Sequence, residues 1–189
     1  MRLPPIAVAV LLFSAALSAR ADAVYDFEST PSGTALPITL TSNGLTATFS
    51  GSASVCSSAG LFTILSGNVV IQDLCAGGQS GALGMSFSQT LNSLSFDFAT
   101  AVGNSPLTVN LFEGATLVGT DTFTPTVNNG SDDFQGVATI TGNFNSVRLS
   151  DADLLAFDNV DAVPTPEPGS LALLGSGFLG LAGIVRRRS

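Results

Sequence analysis

Side chains in the middle of this chain alternate with period two, and that pattern constrains its fold more than any other feature. Apolar and polar residues alternate in Leu45-Thr46-Ala47-Thr48-Phe49, in Met85-Ser86-Phe87-Ser88 and in Leu94-Ser95-Phe96-Asp97-Phe98. The alternation returns in Leu107-Thr108-Val109-Asn110-Leu111-Phe112, in Val137-Ala138-Thr139-Ile140 and in Val147-Arg148-Leu149. Successive side chains of a strand point to opposite faces, so each segment presents one apolar face and one polar face. Turn-forming residues separate the segments: Ser42-Asn43-Gly44, Gly77-Gly78, Gly103-Asn104-Ser105-Pro106, Glu113-Gly114-Ala115 and Asn128-Asn129-Gly130. No long run in this region has helical periodicity. The expectation is an all-β fold, a β-sandwich of two sheets packed through their apolar faces. The chain has no tryptophan, so phenylalanine must supply the large-area burial. Phe27, Phe49, Phe87, Phe96, Phe98, Phe112, Phe123, Phe144 and Phe157 are the candidate core.

Both ends are different in kind. Arg2 precedes an apolar run from Ile6 to Leu17, and Ala19-Arg20-Ala21 has the small-x-small form of a cleavage site before Asp22. Residues 1–21 therefore read as a signal peptide for a signal peptidase, with Ala21-Asp22-Ala23 as a second cleavage candidate. At the other end, residues 170–185 carry no charge. As a helix this run spans about 24 Å, somewhat less than a hydrocarbon core. Gly175, Gly177, Gly180 and Gly183 weaken a soluble helix but are common in membrane helices. Arg186, Arg187 and Arg188 follow at once and place the C-terminus in the cytoplasm. The expected organisation is a signal peptide at 1–21, a β-sandwich domain at 22–163, and a tail at 164–189 with a single transmembrane helix.

Pro166-Glu167-Pro168 stands just before that helix and holds the chain extended there. The order of Pro-Glu-Pro, short apolar helix and arginine cluster resembles the PEP-CTERM sorting signal of Gram-negative bacteria. That resemblance implies recognition by an exosortase, a membrane protease-transpeptidase. It also implies transient anchorage in the membrane and then transfer to the cell surface or release, in bacteria that make exopolysaccharide. Pro166, Glu167, Pro168, Arg186, Arg187 and Arg188 would be the sorting residues.

Charge narrows the partners. All 14 acidic residues lie between Asp22 and Glu167, Arg148 is the one basic residue there, and this stretch therefore carries −13. The chain has no lysine and no histidine. Nucleic acid is excluded as an expected partner, because phosphate binding needs cations to displace counterions. An acidic surface instead suits divalent cations and a hydrated extracellular matrix. Cys56 and Cys75 are the two cysteines, and in an oxidising compartment an even count reads as one disulfide.

The opening Tyr25-Asp26-Phe27-Glu28, the hairpin through Leu107–Thr124 and the closing Ala156-Phe157-Asp158-Asn159-Val160 are similar to the galactose-binding-like jelly roll, a fold shared by many carbohydrate-binding modules. In such modules the first and last strands lie side by side, and acids there join backbone carbonyls around a structural calcium ion. The resemblance thus implies Glu28 and Asp158 as calcium ligands; solvated carboxylates at strand ends are the plainer reading. A sugar-binding face would usually offer aromatic platforms, and the domain has only Tyr25 besides its phenylalanines. Catalysis is not expected. Without histidine, lysine or a free thiol it would fall to a carboxylate pair such as Asp132-Asp133, Asp151 with Asp153, or Asp158 with Asp161. The overall expectation is an exported surface or matrix protein of an exopolysaccharide layer. A carbohydrate-binding module with structural calcium is the first alternative, and a glycan-acting enzyme the second.

Overall fold

The computed structural model describes residues 22–58, 60–72, 75, 81–101, 105–128, 133–150, 154–165 and 177. Residues 21–165 form one compact unit. The signal peptide, the Pro-Glu-Pro motif, the apolar run apart from Gly177, the arginine cluster and Asp132, Asp151 and Asp153 lie outside the described residues. Among the described residues no helix is long and apolar enough to cross a membrane.

Twelve strands account for the described unit: β1 (Ala23–Tyr25), β2 (Thr34–Ala35), β3 (Ile38–Ser42), β4 (Leu45–Ser50), β5 (Ser54–Ser57), β6 (Asn68–Ile71), β7 (Leu83–Ala101), β8 (Leu107–Glu113), β9 (Thr116–Phe123), β10 (Val127–Asn128), β11 (Asp133–Ser150) and β12 (Leu155–Pro164). The all-β expectation holds, and every pairing is antiparallel. The expectation of two separate sheets needs refinement, because the ladders join all twelve strands into one continuous sheet. The join is made by length. Segments read as separate short strands merge into β7 and β11, which run through both halves of the fold.

In the first half, residues 84–87 of β7 lie between β4 and the 146–149 end of β11, which in turn pairs with β8 and then β9. In the second half, residues 91–100 of β7 lie between β12 and the start of β11. There β12 passes the ladder on to β6, β5 and β2, and its far end pairs with β1. Between the halves β11 shifts register around Phe144. Gly142 sits there at φ 146°, a conformation that suits glycine alone. An extra residue at such a point bends the strand and re-aims the side chains beyond it.

The bend turns the two apolar faces toward each other. Phe49 on β4 meets Phe157 on β12 with ring centroids 5.9 Å apart, and Phe27 packs edge-on against both, at 5.1 and 5.8 Å. Phe27, Phe49, Phe96, Phe98, Phe144 and Phe157 are fully buried. Each contributes about 1.5–3 kcal/mol by burial, and edge-to-face pairs add about 0.5–1.5 kcal/mol. Tyr25 belongs to this core as well. It is buried, donates its hydroxyl to the Leu45 carbonyl oxygen at 2.9 Å, and burial pushes its pKa up to about 12. Phe112 departs from expectation: Leu107, Val109 and Leu111 hold the core parity of β8, and Phe112 turns to the outer face, half-buried.

Two of the predicted turns fall into place locally, while Gly77-Gly78, Gly103-Asn104 and Asn129-Gly130 lie outside the described residues. Asn43 and Gly44 both take positive φ between β3 and β4, as a two-residue hairpin turn demands. Gly114, at φ 60°, turns the β8–β9 hairpin. Cys56 and Cys75 are joined by a disulfide with Cα atoms 6.2 Å apart. Cys56 is buried in a second, smaller cluster with Leu65, Val69, Ile71, Ala99 and Ala156, on the outer side of the second half.

Candidate functional site

That second cluster exists because residues 60–67 fold back over the outer face of β7 and β12. Gln135 fastens it. Its side chain is fully buried, and its Oε1 accepts hydrogen bonds from the backbone N–H groups of Thr63 at 2.8 Å and Ile64 at 2.9 Å. The partly buried Phe62 and Ile64 then pack on the cluster. A face that strand alternation marks as polar is therefore covered.

Asp158 lies under this cover. It stands opposite Asp97 across the β12–β7 ladder, on the side away from Phe157 and Phe98. Parity alone would leave it in water, yet only 1% of it is exposed. Its carboxylate accepts backbone N–H groups from Asn159 and Ser66, and its Oδ1 has no partner. Desolvation raises its pKa to about 6; the two backbone hydrogen bonds oppose the rise, and the nearby charges of Glu28 and Asp97 add to it. Asn159 follows at φ 52°, where the pairing of β12 with β7 shifts register. Its Nδ2 donates to Asp97 Oδ2 at 2.8 Å.

Glu28 reaches the same place from the turn after β1, not from a strand as the sequence suggested. Its Oε1 accepts the Asn68 N–H at 3.1 Å, and Asn68 Nδ2 donates to the Thr30 carbonyl oxygen at 3.0 Å. Gly67 makes the approach possible: a Cβ there would collide with the Glu28 carboxylate, and its φ of 66° already favours glycine. Glu28 and Asp158, singled out from sequence, are thus brought together. Asp97 is a third acid that sequence reading passed over as an outward strand position. Like charges directly opposite on a ladder are unfavourable, and an unpartnered buried carboxylate oxygen costs desolvation energy. The chemistry of the place calls for a proton or a cation.

Calcium accepts six to eight oxygens, carbonyls included. Among the described residues no three His, Cys, Asp or Glu side chains cluster tightly enough to hold an ion by themselves. Backbone carbonyls would have to complete the shell. Asp161, the other acid named beside Asp158, points elsewhere. Its Oδ1 is also unpartnered, and desolvation together with the charge of Asp22 raises its pKa.

Residues 164–188 match the PEP-CTERM protein-sorting motif. The chain thus carries at its C-terminus a motif that implies export and exosortase processing. No curated protein matches the chain. Among solved structures, the fold is similar to the K2 cleaved adhesin domain of Lys-gingipain, with 14% identity over 77% of this chain and 99% of that one and a TM-score of 0.46. It is also similar to a family 29 carbohydrate-binding module, with 11% identity, 78% and 99% coverage and a TM-score of 0.34. A CBM4 structure is similar as well, with 12% identity, 79% and 90% coverage and a TM-score of 0.27.

Proposed function

We propose that this chain is an exported surface or matrix protein, delivered by an exosortase-type system and structural in an exopolysaccharide layer. The sorting motif at residues 164–188 is the observation that carries the reading. On this route signal peptidase removes residues 1–21, and the run 170–185 holds the chain in the membrane for a time. Pro166, Glu167, Pro168 and Arg186–Arg188 present it to the exosortase. The unit at 22–163 then works outside the cell without catalysis. A sequence free of lysine and histidine, with both cysteines bonded, supports the non-catalytic role. Fractionation of the host tests the route. The parent protein should reach the surface or the medium and sediment with the exopolysaccharide. A Glu167→Ala variant should stay in the inner membrane; equal export of both would refute exosortase sorting.

A second reading, a carbohydrate-binding module with structural calcium, draws on one specific feature: the unpartnered Oδ1 of buried Asp158 beside Glu28. In this reading Glu28 and Asp158 hold the ion with neighbouring carbonyls, and calcium tightens the cover formed by residues 60–67 rather than reacting with anything.

A further inference from the structure

Arg148 is the one basic residue between Asp22 and Glu167, and it is exposed on the outer face of the first half. Among the described residues no carboxylate pairs with it. In a stretch of charge −13 a guanidinium with no carboxylate partner among the described residues calls for a physical reason, and its surroundings supply one. The cross-strand register places Ser50, Gly84, Arg148, Asn110 and Thr120 in one row across β4, β7, β11, β8 and β9. The next row on the same face brings Ser86, Ser146 and Phe112 side by side.

These rows form a groove. Gly84 has no side chain, so the sheet dips between Ser50 and Arg148; a Cβ there would come within 2.9 Å of Ser50 Oγ. The depression has a volume of about 370 Å³, and Ser50, Gly84, Ser86, Phe112, Ser146 and Arg148 line it. That is within the usual size range of small-ligand sites, of order 300–1,000 Å³. Serine hydroxyls both donate and accept, as sugar hydroxyls require. The half-buried Phe112 ring offers an apolar surface for C–H groups. A guanidinium fork matches a carboxylate in bidentate fashion, with a planar geometry that no hydroxyl reproduces.

We propose that this groove binds a uronic-acid-containing saccharide, with Arg148 on the sugar carboxylate and the serine rows on its hydroxyls. The inference rests on the reading of the protein as resident in an exopolysaccharide layer. One isolated cation fits one carboxylate per few sugar units; a polyphosphate chain would need a row of cations. Repulsion from the other acids of the domain is screened beyond about 8 Å at physiological ionic strength, so recognition is by contact and not by long-range steering.

The test uses the full chain in detergent micelles, at physiological ionic strength, titrated calorimetrically with three hexasaccharides that each carry a single uronic acid (one galacturonate, one guluronate or one mannuronate among neutral sugars), and with neutral galactohexaose as the comparison. At least one acidic oligomer should bind at least about tenfold more tightly than the neutral one, a difference of about 1.4 kcal/mol. Arg148→Gln should remove that preference while leaving Tm unchanged, since the side chain is exposed, and Arg148→Lys should restore part of it. The proposal is overturned if none of the three acids binds, if the neutral oligomer binds as well, or if Arg148→Gln binds like the parent. Because export is read separately with Glu167→Ala, failure here is distinguishable from failure of the sorting account.

Discussion

Replacing Asp158 by asparagine probes the covered site most sharply. The folded-state pKa of Asp158 is about 6 against an ordinary 3.8. The folded chain therefore holds this proton more tightly than the unfolded chain does. Stability is then full below about pH 4, falls as pH rises toward 6, and is flat above. A shift of about two units corresponds to about 3 kcal/mol; partial screening through the edges of the loop cover reduces the expected loss to about 2 kcal/mol. The raised pKa of Asp161 acts in the same direction. For a domain of this size, Tm in chelator should be about 6–8 °C higher at pH 4.5 than at pH 7. Asp158→Asn keeps the shape and removes the titration. Its Tm should change much less between these pH values and exceed the parent's at pH 7. Calorimetric melting of both proteins across pH 4–7.5 decides the matter. A parent that is equally or more stable at pH 7, or a variant with the parent's full pH slope, would show that the Asp158 carboxylate is hydrated and the reasoning wrong.

Calcium at pH 7 should raise the parent's Tm by several degrees, since a hundredfold excess over Kd adds about 2.7 kcal/mol. Magnesium at equal ionic strength should not, and Asp158→Asn should lose the response; equal shifts from both ions would mean simple screening of repulsion. Gln135→Ala should cost about 2–4 kcal/mol, because it orphans the N–H groups of Thr63 and Ile64. Hydrogen exchange should then speed up at residues 61–67 before the strands respond. Non-reducing mass spectrometry should find Cys56 joined to Cys75, and the double serine variant should unfold about 3 kcal/mol more easily, as loss of a cross-link of this span implies; two alkylatable thiols would contradict the bond.

Strand alternation made the β segments legible, because a half-buried strand must alternate. It could not reveal that β7 and β11 each run through the bend: residues 85–88 and 94–98, like 137–140 and 147–149, alternate as separate segments, and only the pairing partners on both sides make them continuous. The same local logic misplaced Phe112, which follows Leu111 in a strand where only one of two neighbours can face the core. Glu28 and Asp158 were found by their place in the opening and closing motifs. The burial of Asp158 was not legible, since it depends on a loop that Gln135 anchors from 71 residues away at Ile64. Asp97 carried a weak signal, an acid at the centre of a phenylalanine-flanked strand. The groove at Arg148 was announced only by the absence of any other cation between Asp22 and Glu167, and its neighbours became visible through cross-strand register.

The intact mass of the protein recovered from the host surface tests the central claim most directly. Exosortase sorting predicts a chain that begins just after residue 21, keeps the Cys56–Cys75 bond, and lacks the apolar run 170–185 and the arginines 186–188. A surface-exposed chain that still carries residues 170–188 would contradict exosortase processing and leave the tail a permanent anchor.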